Sequence, residues 1–128
     1  MNALNMARMA YSSTNKGAAP IRTPRGTEFD VIARITSQLK ATAADPKRDY
    51  AAFVRALHEN RRLWTLFATD LADSDNALPQ ALRAQLFYLA EFTLQHTSKI
   101  LNGSATADVL IEINTSVMRG LQGERAAA

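Results

Sequence analysis

Few side chains in this 128-residue sequence have the potential for catalytic chemistry. There is no cysteine, which removes thiolate nucleophiles, disulfide frameworks, iron–sulfur clusters and thiolate zinc sites. The two histidines, His58 and His96, fall on different segments, and neither has a second ligand one helical turn away. Zinc normally takes four ligands, so neither histidine reads as a metal site. His96 sits among Leu89, Phe92 and Ile100, the setting of a packing histidine. Asp108 and Glu112 are spaced i, i+4, but no nucleophile accompanies them, and they read as a solvated face. No glycine-rich phosphate loop and no nucleophile elbow occurs. The sequence therefore predicts neither an enzyme nor a protein that holds a cofactor or metal.

What remains are groups suited to binding. Asn60 and Asn114 each interrupt an apolar stripe. A buried amide left without hydrogen bonds costs about 1–3 kcal/mol, so each must be paired inside the fold or used on a partner. Paired internally, they would fix helix register. Turned to a partner, they would offer a donor and an acceptor to a backbone of any sequence. Met6 and Met9, with Tyr11, form the second group. Methionine adapts to varied apolar shapes, and methionine-rich faces suit changing partners. Leu4, Ala7 and Tyr11 also recur at i, i+3 and i+7, so the same segment has a face that could pack on a bundle. Met6, Met9, Tyr11, Asn60 and Asn114 are the candidate partner-binding residues. Trp64, the only tryptophan, lies midway along an apolar stripe and is assigned to the core.

Helices must position these residues. Nothing alternates with a period of two for long enough to form a strand, so the chain reads as all-α. A short helix is predicted over 3–12, followed by a linker rich in Ser, Thr, Gly and Pro up to Gly26. A second helix starts near Thr23 or Thr27, carries Ile32, Ile35 and Leu39 on one face, and ends at Asp45-Pro46. A third runs from about Lys47 to Leu71, with Phe53, Leu57, Trp64, Phe67 and Leu71 as its stripe. A fourth runs from Leu78-Pro79 to Leu101, with Asn76 as its cap and Leu82, Leu86, Leu89, Phe92 and Ile100 on one face. Asn102-Gly103 ends it. The last opens at Ser104 or Thr106, presents Val109, Leu110, Ile113 and Val117, and stops near Arg119 at Gly120 and Gly123. The expected organisation is a short tethered N-terminal helix with its flexible linker over 1–26, a bundle of four main helices over 27–121, and a frayed tail over 122–128.

Composition narrows the partner classes. Fifteen Lys and Arg stand against twelve Asp and Glu, a net charge of +3, and the only adjacent basic pairs are Lys47-Arg48 and Arg61-Arg62. Basic residues this scattered do not make a strong nucleic-acid patch. The aromatics lie in core-like stripes rather than between basic residues, so direct RNA binding is disfavoured. No apolar run approaches the ~18 residues that cross a membrane, and no secretory signal is read, so a cytoplasmic location is expected.

Four blocks carry a resemblance. They are Asn60-Arg61-Arg62-Leu63-Trp64-Thr65-Leu66-Phe67; Asn76-Ala77-Leu78-Pro79 with Leu82-Arg83; His96 with Ile100-Leu101-Asn102-Gly103; and Leu110-Ile111-Glu112-Ile113-Asn114 with Gly120-Leu121. In this order and spacing, and with the N-terminal Ala10-Tyr11, the chain resembles the FlaF family, flagellar biosynthesis regulators of alphaproteobacteria. The resemblance implies a non-enzymatic protein needed for flagellin production and export. FlaF-like proteins are thought to bind flagellin monomer as a secretion chaperone, alongside FlbT, a companion regulator that affects flagellin mRNA. It thus implies flagellin as partner, with FlbT as a second; burial of an apolar helix in a groove makes flagellin's terminal helical segments the natural client. The other function it admits is post-transcriptional control of flagellin mRNA, directly or through FlbT.

Overall fold

The computed structural model describes residues 24–127, with side chains over 29–120. Those residues form four helices, α1 (Pro24–Ala43), α2 (Tyr50–Ala72), α3 (Gln80–Leu101) and α4 (Asp108–Ala127), and no strand. The chain is all-α, as its periodicity requires. The predicted helix over 3–12, and with it Met6, Met9 and Tyr11, lies outside the described residues.

Local chemistry sets the helix ends. α1 starts at Pro24, the position where a missing N–H costs nothing, so the last residues assigned to the linker are helical. α2 starts three residues later than Lys47, because Asp49 is the cap: its carboxylate accepts from the Ala52 N–H at 3.0 Å. Asn76 does not cap α3. Its Oδ1 accepts from the Leu78 N–H at 3.0 Å, while its Nδ2 donates back to the Asp70 backbone oxygen and carboxylate, both at 3.1 Å. The side chain thus closes the α2–α3 turn instead of starting the next helix. The Arg83 guanidinium completes that turn, donating to the Leu71 carbonyl at 2.8 and 3.2 Å and to the Asp73 carbonyl at 3.1 Å. α3 ends as expected. Gly103 has φ +86°, its N–H donates to the Ile100 carbonyl at 3.1 Å, and the Ser104 N–H reaches Lys99 at 2.9 Å. α4 continues past Gly120 and Gly123 to Ala127. One interior glycine costs a helix only about 1 kcal/mol, and good helix formers surround these two.

The core comes in two parts. One end of the bundle joins Leu39, Phe53, Ala56, Leu57, Ile100, Ala107 and Leu110. The other joins Ile32, Ile35, Leu63, Trp64, Phe67, Leu71, Leu78, Leu86, Ala90 and Val117. The end of α1 thus meets the start of α2, and the end of α3 meets the start of α4, so successive helices run antiparallel. α2 packs against both α1 and α3, and α1 also packs against α4. Trp64 is buried, with its ring edge-to-face on Phe67 at 5.4 Å.

The stripes predicted for α1 and α2 are buried in full. The face of α3 is turned relative to its prediction. Leu86, Ala90, Thr93, Thr97 and Ile100 point inward, while Leu82, Leu89, Phe92 and His96 are half-buried at the flanks. The small side chains at 90, 93 and 97 thus take the buried face in place of the larger Leu82, Leu89 and Phe92.

Candidate binding groove and buried amide layer

In each helix a buried polar residue falls between the two apolar clusters. These are Thr36 in α1, Asn60 in α2, Thr93 and Thr97 in α3, and Asn114 in α4. Three of the helices are tied at this level. The Asn114 Oδ1 accepts from the Trp64 indole N–H at 3.0 Å. Its Nδ2 donates to Asn60 Oδ1 at 2.7 Å and to Thr36 Oγ1 at 3.1 Å. The indole can only donate, so it fixes which end of the Asn114 amide is oxygen. That orientation in turn requires the Asn60 oxygen to face Asn114. Asn60 Nδ2 and Thr93 Oγ1 are buried with no hydrogen-bond partner among the described residues.

The two predicted amides are therefore brought together. Asn60 and Asn114 lie in the interior, bonded to one another, which is the register-fixing arrangement rather than one that presents an amide at the surface. The His96 Nε2–H donates to the Thr106 backbone oxygen, 3.0 Å away, and the ring stacks on Phe92 at 5.3 Å, so it joins α3 to the loop before α4. Among the described residues, no three His, Asp or Glu side chains converge as metal ligands.

Hollows with room for a ligand open on the outer side of α2, and others of about 450–490 Å³ lie along the start of α3 around Tyr88. A groove of about 840 Å³ opens between α1 and α2, with Val31, Ile35, Leu63 and Leu66 among its lining residues. Leu66 is 43% exposed, large for an aliphatic side chain on a bundle. A second hollow of about 420 Å³ shares Arg34 and Glu59 with the first and extends the seam to Ala41, Thr42, Ala52 and Ala56. From Ala52 to Thr69 the seam follows α2 for ~25 Å at the helical rise. Arg34, Arg55, Arg61 and Arg62 line it, with Glu59 the one carboxylate among the described lining residues. Glu59 and Arg62 approach at 3.8 Å as an exposed i, i+3 pair, which contributes little.

A family model described as Flagellar protein FlaF matches residues 7–121. The chain belongs to the FlaF family. It is thereby a flagellar protein. Comparison with curated proteins gave no match, and neither did comparison with solved structures. No helix among the described residues of this FlaF-family chain is long and apolar enough to cross a membrane.

The four sequence blocks that resemble FlaF have separate places in the fold. The Asn60 block supplies both the amide layer and the groove wall, and Asn114 closes the layer. The Asn76 block is the α2–α3 turn, and Asn102-Gly103 is the cap of α3. Sequence reading missed the gathering of arginines, because Arg34 lies far in sequence from Arg55, Arg61 and Arg62. Only the antiparallel pairing of α1 and α2 places them on one seam. It also missed Thr36, Thr93 and Thr97, whose polarity hid them from an apolar-stripe count.

Proposed function

We propose that this FlaF-family protein is a flagellin-binding secretion chaperone that acts in the cytoplasm, shielding flagellin monomer and promoting its synthesis and export. The observation that supports this reading is the α1/α2 groove, with aliphatic side chains along it and an exposed Leu66. A client helix laid along it would cover apolar side chains that otherwise drive self-association. Terminal segments of flagellin are the client class this suits. No bond is made or broken; the work is reversible burial of apolar surface. Met6, Met9 and Tyr11 enter as further client contacts on their sequence pattern. The test is direct: purified protein is mixed with flagellin monomer and followed by size exclusion and calorimetry. A complex supports the reading, and its absence removes it.

The arginines along the seam favour one second reading, regulation of flagellin mRNA by direct contact or through FlbT. Direct contact with single-stranded RNA would weaken with salt at a slope of about −0.7 per phosphate engaged. No binding to flagellin mRNA at low salt would leave only the route through FlbT.

A further inference from the structure

Charge is distributed unevenly in this molecule. Between residues 29 and 120 there are ten Lys and Arg and ten Asp and Glu, a body of zero net charge. Yet the α1/α2 seam carries Arg34, Arg55, Arg61 and Arg62 against Glu59 alone. Of the other nine carboxylates none lines the groove: Asp70, Asp73 and Asp75 lie around the α2–α3 turn, Glu91, Asp108 and Glu112 on α3 and α4, Asp45 and Asp49 between α1 and α2, and Asp30 on α1 four residues before Arg34. A neutral body with one electropositive groove is a device for choosing a partner by sign.

We propose that the α1/α2 groove takes an amphipathic helix whose apolar stripe is flanked by carboxylates. This rests on the client-binding reading and adds what the client must look like. The seam's length matches four to five turns of helix at ~5.4 Å per turn. Val31 and Leu66 meet the apolar stripe over a floor closed by the buried Ile35 and Leu63, and the arginines meet Glu or Asp on its two edges. Arginine suits this role, because its planar fork pairs two-pronged with a carboxylate.

Other occupants fit less well. The first 27 residues of this chain contain Arg8, Lys16, Arg22 and Arg25 and no carboxylate, so the protein's own N-terminal segment has the sign of the arginine rim. An RNA strand would match that sign, but no Phe, Tyr or Trp lines the groove for bases to stack on.

The test uses the full chain and two designed helical peptides with the same leucine stripe, one flanked by Glu and one by Lys, followed by fluorescence anisotropy. The Glu peptide is expected to bind at least about tenfold tighter, through a few exposed charge pairs, and to weaken as salt screens them. In the triple variant Arg34→Glu, Arg55→Glu and Arg62→Glu, all exposed positions, the preference should invert, so that gain of Lys-peptide binding reports a folded protein. Equal binding of the two peptides overturns the charge rule while leaving an apolar client groove standing. Flagellin binding that the triple variant does not alter overturns the inference, as does a single-stranded oligonucleotide outcompeting the Glu peptide or displacement of that peptide by one of residues 1–23. Failure of flagellin to bind, with the Glu peptide still preferred, removes flagellin as client and upholds the charge rule.

Discussion

Asn114→Ala tests the account of the core most sharply. The wild-type amide makes three hydrogen bonds at zero or near-zero exposure, to Trp64, Asn60 and Thr36. Truncation strands the Trp64 N–H and the Asn60 oxygen, and leaves the Asn60 amide with no partner at either end, since its Nδ2 already has none. Two newly orphaned groups at about 1–3 kcal/mol each give an expected loss of ~2–6 kcal/mol. That is a large share of the ~5–15 kcal/mol available to a domain of this size. Urea unfolding followed by far-UV circular dichroism reads the loss, and the slope of the transition checks that the folded state stays compact. The companion experiment is Asn60→Leu with Asn114→Leu. If the amides act as a pair, the double variant is less damaged than the sum of the two single leucine variants by at least about 1 kcal/mol. A loss below ~1 kcal/mol for Asn114→Ala, or additivity of the leucine variants within ~0.5 kcal/mol, would refute the pairing.

Three further outcomes follow from the same geometry. Thr93→Val removes a buried hydroxyl that has no partner and keeps its shape, so the urea midpoint should rise, by about 1 kcal/mol in stability; a fall would mean that the hydroxyl is satisfied. Arg83→Ala frees the Leu71 and Asp73 carbonyls at the end of α2 and should cost ~1.5–3 kcal/mol by thermal or urea unfolding, with Arg83→Lys recovering only part because one ammonium lacks the two-pronged geometry. Burial, then the neighbouring Asp73 charge, raise the Asp70 carboxyl above its ordinary value, and the Asn76 hydrogen bond opposes them. The charged form is therefore penalised in the fold, a cost absent below the unfolded-state value and fully present above the folded one. Asp70→Asn should stabilise at neutral pH, and its gain over wild type should vanish as pH falls through the carboxylate range; a gain that persists in acid would refute this.

How much of this was legible in the sequence depended on what each residue had to do. Ile32, Ile35 and Leu39 and the stripe from Phe53 to Leu71 could be placed because burial of large aliphatic and aromatic side chains is a local periodic pattern. Gly103 could be placed because the left-handed turn it occupies is cheap for glycine and strained for other residues. α3 was misjudged in rotation. Counting leucines favoured 82, 86 and 89, of which only Leu86 turns inward, beside the small residues at 90, 93 and 97, a tertiary preference that no single-helix pattern contains. Asn60 and Asn114 were visible as intruders, but their pairing spans 54 positions and needs the fold to declare it. The groove was hidden for the same reason, since its cations come from two helices.

The amide layer and the groove are linked through α2. Its inner face carries Asn60 and Trp64 in the layer, and its outer side carries Arg55, Arg62 and Leu66 on the seam. A helix turns ~100° per residue, so a slip of α2 by one position would swing Asn60 out of the layer and Glu59 or Arg61 toward the core. In a purely aliphatic core, such a slip exchanges one greasy contact for another and is opposed weakly. Here it breaks the hydrogen bond from Asn114 to Asn60 and the one from Trp64 to Asn114 at once, and buries a charge. The layer is less stabilising than well-packed leucines of the same volume would be, because Asn60 Nδ2 and Thr93 Oγ1 go without partners. In exchange it holds one rotation of α2 against α1, and that rotation aligns the arginines and Leu66 on a single seam.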